Sequence, residues 1–316
     1  MTVGIPVYNG EQDLPESVGS ILNQSYTNLE IIISDNASTD GTQLVAKQLA
    51  AQDHRIRYHR LDRNIGANAN FEHVRRLARG EYFMWHGSDD VRPPGSIERL
   101  VQALERNPLA VMAHGPILAK VPGVMEEEIA NEMDLSSTRV SRRIIQFTQH
   151  MRHIAMEYGL FRLDKLRQAV FEYPPHERPF GRFGDDYLIC LQMCLLGPVE
   201  YVPHQMIVYR MRVIPPASPM GEDIPPTVNY LVQGTRRMWK SWSVLFFGCC
   251  YLLQLGGVDL RQRVTGAFAH ISAFIMRYRR RLATDGLLIV CSTAASWPLA
   301  ALRHLRRLTL PASVDR

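Results

Sequence analysis

Glu30-Ile31-Ile32-Ile33-Ser34-Asp35-Asn36-Ala37-Ser38-Thr39-Asp40-Gly41-Thr42 is the stretch that decides how this chain is read. Leu29 to Ser34 is a β-branched run, short enough for a buried strand. From Asp35 to Thr42 the chemistry becomes that of a loop, small and polar, ending in a helix start. Leu44 to Leu49 continues as that helix. A strand, a loop opened by a carboxylate, and a helix make half of a βαβ unit. In such units ligands bind beyond the carboxyl end of the strand.

The same alternation continues on both sides. Val3 to Val7 reads as a strand, and Asp13 to Gln24 as a helix with Leu14, Val18, Ile21 and Leu22 on one side. Ile56 to His59 is a third strand. Asn68 to Arg79 is helical and stops at Gly80. Glu81 to Trp85 is a fourth strand, followed by the loop Gly87-Ser88-Asp89-Asp90. Pro93-Pro94 opens a helix that runs to Glu105. Strands separated by helices of this length imply a mainly parallel sheet. The loops at Tyr8-Asn9, Asp35 to Asp40 and Gly87 to Asp90 all follow strands, so they converge on one edge.

Farther on, Val121 to Ser141 has no clear period and reads as a long, mobile connection near an acceptor site. Asp186 to Leu196 has a helix pattern, Val199 to Tyr209 a strand pattern, and the proline-rich stretch Ile214 to Pro226 a loop pattern. From Tyr230 onward the chain looks helical. Ser241 to Val258 carries no charge, and neither does Gly286 to Leu302, which Pro298 interrupts. The expected organisation is three parts: 1–120, 121–229, and a basic helical extension over 230–316.

Charge supports the last division. Tyr230 to Arg316 holds 13 Lys/Arg against 3 Asp/Glu, while the whole chain of 316 residues carries only +5. Leu299, Leu302, Leu305 and Leu308 line one side of a helix whose other positions include Arg303, His304, Arg306 and Arg307. Such a helix suits an anionic membrane surface, so peripheral membrane contact is expected. Charge alone would also admit nucleic acid, but no recognition motif supports it and none is expected. The five cysteines form no CxxC pair, which argues against a disulfide framework. Cys190 and Cys194 stand at i, i+4 and read as helix packing. No signal-peptide pattern precedes the first strand, so a cytoplasmic location is expected.

Three acidic segments carry the chemistry: Asp35 with Asp40, Asp89-Asp90, and Asp185-Asp186. Aspartate oxygens hold Mg²⁺ or Mn²⁺ while leaving positions for phosphate oxygens. The ion then stabilises a departing diphosphate, and a further carboxylate can take a proton from an attacking hydroxyl. Each has a plainer reading: Asp40 as a helix cap, Asp89-Asp90 as a solvated turn, and Asp185-Asp186 as favourable charge at a helix start.

These residues resemble family 2 glycosyltransferases. The resemblance rests on Pro6-Val7-Tyr8-Asn9, on Ser20 to Tyr26, on Glu30 to Thr42, on Asn64-Ile65-Gly66 with Asn70, and on Ala78 to Tyr82. Asp89-Asp90 falls where that family has its metal-binding acidic motif. Tyr158 to Arg162, Gly184 to Tyr187, Leu195-Leu196-Gly197 and Val202 to Arg210 are similar to its acceptor half. The resemblance implies a GT-A type, Rossmann-like α/β fold with a mainly parallel sheet flanked by helices. It implies an inverting hexosyltransferase-like enzyme that moves a sugar from a nucleotide-sugar donor to a carbohydrate or lipid-linked hydroxyl, in polysaccharide or glycolipid synthesis. Asp186, with Asp185 adjacent, is the implied catalytic base. Asp90 and Asp89 are the implied ligands for Mn²⁺ or Mg²⁺. Pro6, Tyr8, Asn9, Asp35, Ser38, Asn70, Asp89 and Arg212 are the implied donor contacts. Two departures stand out. The metal loop is Gly87-Ser88-Asp89-Asp90 where relatives often have Asp-x-Asp-Asp, with His86 close enough to compensate. No His follows Tyr209-Arg210, which leaves Arg212 for the phosphate. A nucleotidyltransferase is the alternative, although the basic Gly-rich loop usual after its first strand is missing. A sugar-nucleotide-binding protein with impaired turnover is another.

Overall fold

The structure is a computed structural model, in which residues 1–121, 125–130, 133–150, 154–169, 185–210 and 258–273 are described. Its elements run β1 (Thr2–Val7), α1 (Leu14–Leu22), β2 (Glu30–Asp35), α2 (Thr42–Gln52), β3 (Ile56–Arg60), α3 (Ala67–Leu77), β4 (Tyr82–Trp85) and α4 (Ser96–Arg106). There follow β5 (Met112–His114), β6 (Ile117–Val121), β7 (Met125–Ile129), α5 (Val140–His150), a 3₁₀ turn (Ile154–Tyr158), β8 (Leu160–Arg162) and α6 (Leu163–Leu166). Then come α7 (Asp185–Leu196), β9 (Val199–Tyr201), β10 (Ile207–Arg210) and a helix over residues 260–273, here α8.

Seven strands form one sheet in the order β3-β2-β1-β4-β8-β5-β9. β1, β2, β3 and β4 are mutually parallel, β8 runs antiparallel to both its neighbours, and β9 is parallel to β5. The mixed α/β fold with a mainly parallel, helix-flanked sheet is as expected. Period-two alternation explains the isoleucine run of β2: Ile31 and Ile33 face the core under α1 and α4, while Ile32 faces the core that includes Val74 of α3. Both faces are buried, so the strand reads as continuously apolar. The buried side of α4 is Ile97, Leu100, Val101 and Leu104, spaced three and four apart. Pro6 is tolerated in the central strand. The Gly4 carbonyl faces β4 and accepts the His86 N–H at 2.9 Å. Pro6, two residues on, faces the same way, past the last β1–β4 pair, so its missing N–H costs no ladder bond.

Two expectations need correcting. The segment Val199 to Tyr209 is two strands in different sheets, β9 in the large one and β10 in a small sheet of order β10-β6-β7. Pro203 cannot donate to a ladder, and the chain turns there, with the His204 N–H on the Val202 carbonyl at 2.7 Å. The second correction is Val121 to Ser141, which holds β7, the buried residues Met133 and Leu135, and the start of α5. Among the described residues β7 pairs only with β6. Its exposed Glu126, Glu127 and Glu128 hide the alternation, as charges on edge strands do.

Met1–Ala273 forms one compact unit. Within it Ala269 of α8 joins the core made by α5 and α7, and His270 Nδ1 lies 3.0 Å from Thr148 Oγ1. Cys190 and Cys194 are buried in that same core. The loop Ile214 to Pro226, the segment Gly286 to Leu302, the basic leucine-lined helix and nearly all of Ser241 to Val258 lie outside the described residues. Among the described residues no helix is long and apolar enough to cross a membrane.

Candidate active site

Because β1, β2, β3 and β4 are parallel, their carboxyl ends lie on one edge, and the loops that follow them meet there. The Asn9 N–H donates to Ser38 Oγ at 3.0 Å, and Asn9 Oδ1 accepts the Thr39 N–H at 2.8 Å. The Gly10 N–H donates to Thr42 Oγ1 at 2.8 Å. Ser17 Oγ donates to the Gly87 carbonyl at 2.9 Å, fixing the third loop to α1. Asn9 and Ala37 adopt φ of 55° and 58°, uncommon for non-glycine residues. Both sit in these loops, where backbone strain often accompanies ligand binding.

Asp35 ends β2 in register with Val7 of β1 and Arg60 of β3. Its side chain is wholly buried. Oδ1 accepts the Ser38 N–H at 2.8 Å, while Oδ2 accepts the Tyr58 hydroxyl at 2.7 Å and Arg60 Nη1 at 2.6 Å. Burial pushes its pKa up, but these hydrogen bonds from Ser38, Tyr58 and Arg60 outweigh it and hold the carboxyl below its usual range. Arg60 Nη2 also donates to the Ser38 carbonyl at 2.9 Å, so one guanidinium closes the loop onto Asp35. Asn36 reaches the next strand's loop: its Oδ1 accepts the Ile65 N–H at 2.9 Å and its Nδ2 donates to Asn64 Oδ1 at 3.0 Å. Gly66, at φ 89°, makes the turn that lets this happen. Asp40 acts on its own helix, with Oδ1 accepting the Thr42 N–H at 3.0 Å.

The acidic loop is built differently. Asp90 is 1% exposed. Its Oδ1 accepts the backbone N–H of Arg210 in β10 at 2.9 Å, and among the described residues its Oδ2 has no hydrogen-bond partner. Burial raises its pKa to about 7, with the neighbouring Asp89 charge adding to the effect. Val91 and Val208 exchange backbone hydrogen bonds beside it. A Cβ on Gly87 would lie 2.3 Å from Asp90 Oδ2, so only glycine admits this carboxylate position. Asp89 is half-buried next to it. His86 is wholly buried, and burial together with the Arg92 charge holds its pKa well below the usual value. Among the described residues no group of three His, Cys, Asp or Glu is placed to hold a metal. The donor chemistry nevertheless suits a divalent cation: a buried carboxylate oxygen with no partner is what an added cation would satisfy.

Tyr8, 48% exposed, and Asn9 stand at the open edge. Ser38 is buried as the link between two loops. Pro6 is buried within β1. Asn70 lies beneath the edge, with Nδ2 donating to the Ser34 carbonyl at 2.9 Å and Oδ1 accepting Ser34 Oγ at 2.5 Å, which pins α3 to β2. Asp185 and Asp186 begin α7, their side chains outside what is described, and Arg212 lies outside the described residues. Tyr58, Arg60 and Arg92 also belong to the site's framework and were not singled out from sequence, while Asn36, Asn64 and Arg210 were quoted there as motif positions without a role at the site.

The family description Glycosyl transferase family 2 matches residues 2–165. EpsE of Bacillus subtilis, described as a glycosyltransferase, is 40% identical over 108 residues, covering 34% of this chain and 39% of EpsE. A glycosyltransferase of Haemophilus influenzae is 27% identical over 272 residues, 83% of this chain and 76% of that protein. Among solved structures, S. aureus TarS 1-349 in complex with UDP-GlcNAc superposes with a TM-score of 0.60 at 14% identity, over 90% of this chain and 75% of that one. The mannosyltransferase PcManGT of Pyrobaculum calidifontis, in complex with GDP-Man and Mn²⁺, superposes with a TM-score of 0.51 at 17% identity, over 97% and 79%. At such identities the two structures speak for the fold alone, and the chain spans about two-fifths of EpsE. The profile covers more than half of the chain and includes every loop of the edge just described, so the chain belongs to glycosyl transferase family 2.

Proposed function

We propose that this chain transfers a sugar, with inversion at its anomeric carbon, from a nucleoside-diphosphate sugar to an acceptor hydroxyl, using Mn²⁺ or Mg²⁺. The observation that carries the reading is the partnerless Oδ2 of the buried Asp90 at the edge where four parallel strands end. Family membership supports it, as do donor-bound neighbours of the same fold.

Asp90 Oδ2 and Asp89 would hold the ion, which supplies Lewis-acid stabilisation of the departing diphosphate. Tyr8 and Asn9, on the exposed lip of β1, would border the nucleoside, with Asp35 and Ser38 shaping the loop around its base. Asp186, or Asp185 beside it, would take the proton from the acceptor hydroxyl as its oxygen bonds the anomeric carbon and the bond to the diphosphate oxygen breaks. Arg212, two residues past the strand tied to Asp90, would meet phosphate. The acceptor is a carbohydrate or lipid-linked hydroxyl of the kind used in cell-surface polysaccharide or glycolipid synthesis. The basic C-terminal segment would bring the enzyme to the cytoplasmic face of an anionic membrane.

A thermal-shift series tests this with UDP, GDP, CDP and ADP, each with and without Mn²⁺. Stabilisation by one or two of them that requires Mn²⁺ is expected. Transfer should be lost in folded Asp90→Ala and Asp186→Asn proteins, and unchanged turnover in both would defeat the reading.

A further inference from the structure

Arg92 is a buried cation, and among the described residues no carboxylate is in ion-pair contact with it. Its Nη1 donates to the Met206 carbonyl at 3.2 Å, and its Nη2 donates to the carbonyls of Tyr158 at 2.6 Å and Trp85 at 3.4 Å. Its own N–H donates to Ser20 Oγ at 3.1 Å, and its carbonyl accepts Gln24 Nε2 at 3.3 Å, both anchors lying on or next to α1. The three carbonyls belong to distinct segments. Trp85 ends β4, from which the acidic loop springs. Tyr158 ends the 3₁₀ turn before β8. Met206 precedes β10, whose Arg210 N–H holds Asp90. Burying a positive charge without a paired anion is costly, and an apolar side chain would fill the same space more cheaply. What an apolar side chain lacks is a fork of donors that brings carbonyls from three directions to one point, and a positive charge close to Asp90.

We propose that Arg92 is a positioning residue for the acidic loop: its hold on these three carbonyls sets the distance between Asp90 and β10, and with it the seat of the cation and diphosphate. The proposal rests on the reading of Asp89-Asp90 as a cation site. Its side-chain hydrogen bonds gather where β4, the 3₁₀ turn and β10 come together, beside the acidic loop.

The test compares wild type with Arg92→Gln and Arg92→Lys by three measurements. They are Mn²⁺ binding in the presence of UDP, read from the free-ion paramagnetic resonance signal; amide hydrogen exchange at Arg210 and at Ile32 and Ile33; and the thermal midpoint without metal. Mn²⁺ affinity is expected to fall by about 10- to 100-fold in Arg92→Gln, as when the support of a metal ligand is removed. Arg210 should exchange faster while Ile32 and Ile33 keep their protection, with Arg92→Lys intermediate on both counts. Wild-type Mn²⁺ affinity and Arg210 protection in both variants would overturn the proposal. So would equal loss of protection at all three amides, or failure of both variants to fold, since these mark a general structural role. If wild type binds no Mn²⁺ with UDP, GDP, CDP or ADP, the functional reading fails instead, and Arg210 exchange still decides whether Arg92 clasps the loop.

Discussion

Asp90 Oδ1 and the backbone N–H of Arg210 meet at 2.9 Å across 120 residues of chain. The acidic loop is thereby finished by a strand from the far end of the domain, and one carboxylate oxygen is committed to structure. Among the described residues the other oxygen has no hydrogen-bond partner. Asp90 thus splits its two lone-pair sets between holding the fold and whatever enters the site.

The first prediction follows from that split. Asp90→Asn keeps an oxygen for the Arg210 N–H but removes the charge. The variant should fold with a thermal midpoint at or above that of wild type at pH 8, because a buried charge has been removed. It should lose Mn²⁺-dependent stabilisation by nucleotide. Differential scanning fluorimetry with and without Mn²⁺ and UDP measures both.

A second prediction concerns pH. Burial raises Asp90 from the ordinary carboxylate value of 3.8 to about 7. A group with a raised folded-state pKa stabilises fully below its unfolded pKa, and that contribution is lost as pH rises through the folded value. Metal-free protein should therefore lose stability between about pH 4 and pH 7 through this group. Urea titrations of wild type minus Asp90→Asn isolate the effect, and a flat difference would contradict it.

Asp35 gives a third, with opposite character, since its charge is welcomed. Tyr58→Phe removes one neutral donor to the carboxylate and should cost about 1 kcal/mol. Arg60→Ala removes the charged donor from a buried carboxylate and should cost more than that. Chemical denaturation gives both, and UDP affinity should weaken in the second as the β2 loop loosens.

The glycine beside Asp90 supplies a fourth. Gly87→Ala puts a Cβ 2.3 Å from Asp90 Oδ2 unless the carboxylate moves. The nearest atom ends a short side chain, so the protein should stay folded while Mn²⁺ affinity drops at least about tenfold, as when a ligand's geometry is disturbed. Calorimetric titration of Mn²⁺ into the UDP complex is the measurement.

Ala37 supplies the last. A non-glycine residue in the left-handed region costs about 1–2 kcal/mol, whereas glycine there adds about 0.5–1 kcal/mol of chain entropy to overcome. Ala37→Gly should therefore be neutral to slightly stabilising, and Ala37→Val clearly destabilising, in thermal melts.

The donor edge was legible in the sequence because its signals are local. The isoleucine run of β2 gives the strand, the polar loop after Asp35 gives its end, and parallel order puts Tyr8, Asp35 and Asp90 together. What the sequence hid is whatever depends on a distant partner. Nothing near Tyr58 or Arg60 says that both clamp Asp35, because that depends on strand register. Arg92 reads as an ordinary charged residue before Pro93-Pro94, and its three carbonyls come from segments up to 114 residues away. β7 was hidden for another reason: exposed glutamates on an edge strand erase the alternation that betrays strands elsewhere. Asn70 was read as a donor contact from motif position, and its buried amide bonds Ser34 at both ends, an anchoring that also depends on a distant partner.

β8 fills the gap between β4 and β5, although about forty-five residues separate it from β5 in the chain. Until Leu160–Arg162 arrive, β4 lacks one neighbour and β5 has none, and β5 gains its second only with β9. A nascent chain that has emerged only as far as β5 thus presents bare strand edges lined by Phe83 and Met112, a template for sticking to its copies. Expression of the first 120 residues alone should give aggregates rather than a small nucleotide-binding module, because the domain becomes self-sufficient only after its later strands are delivered.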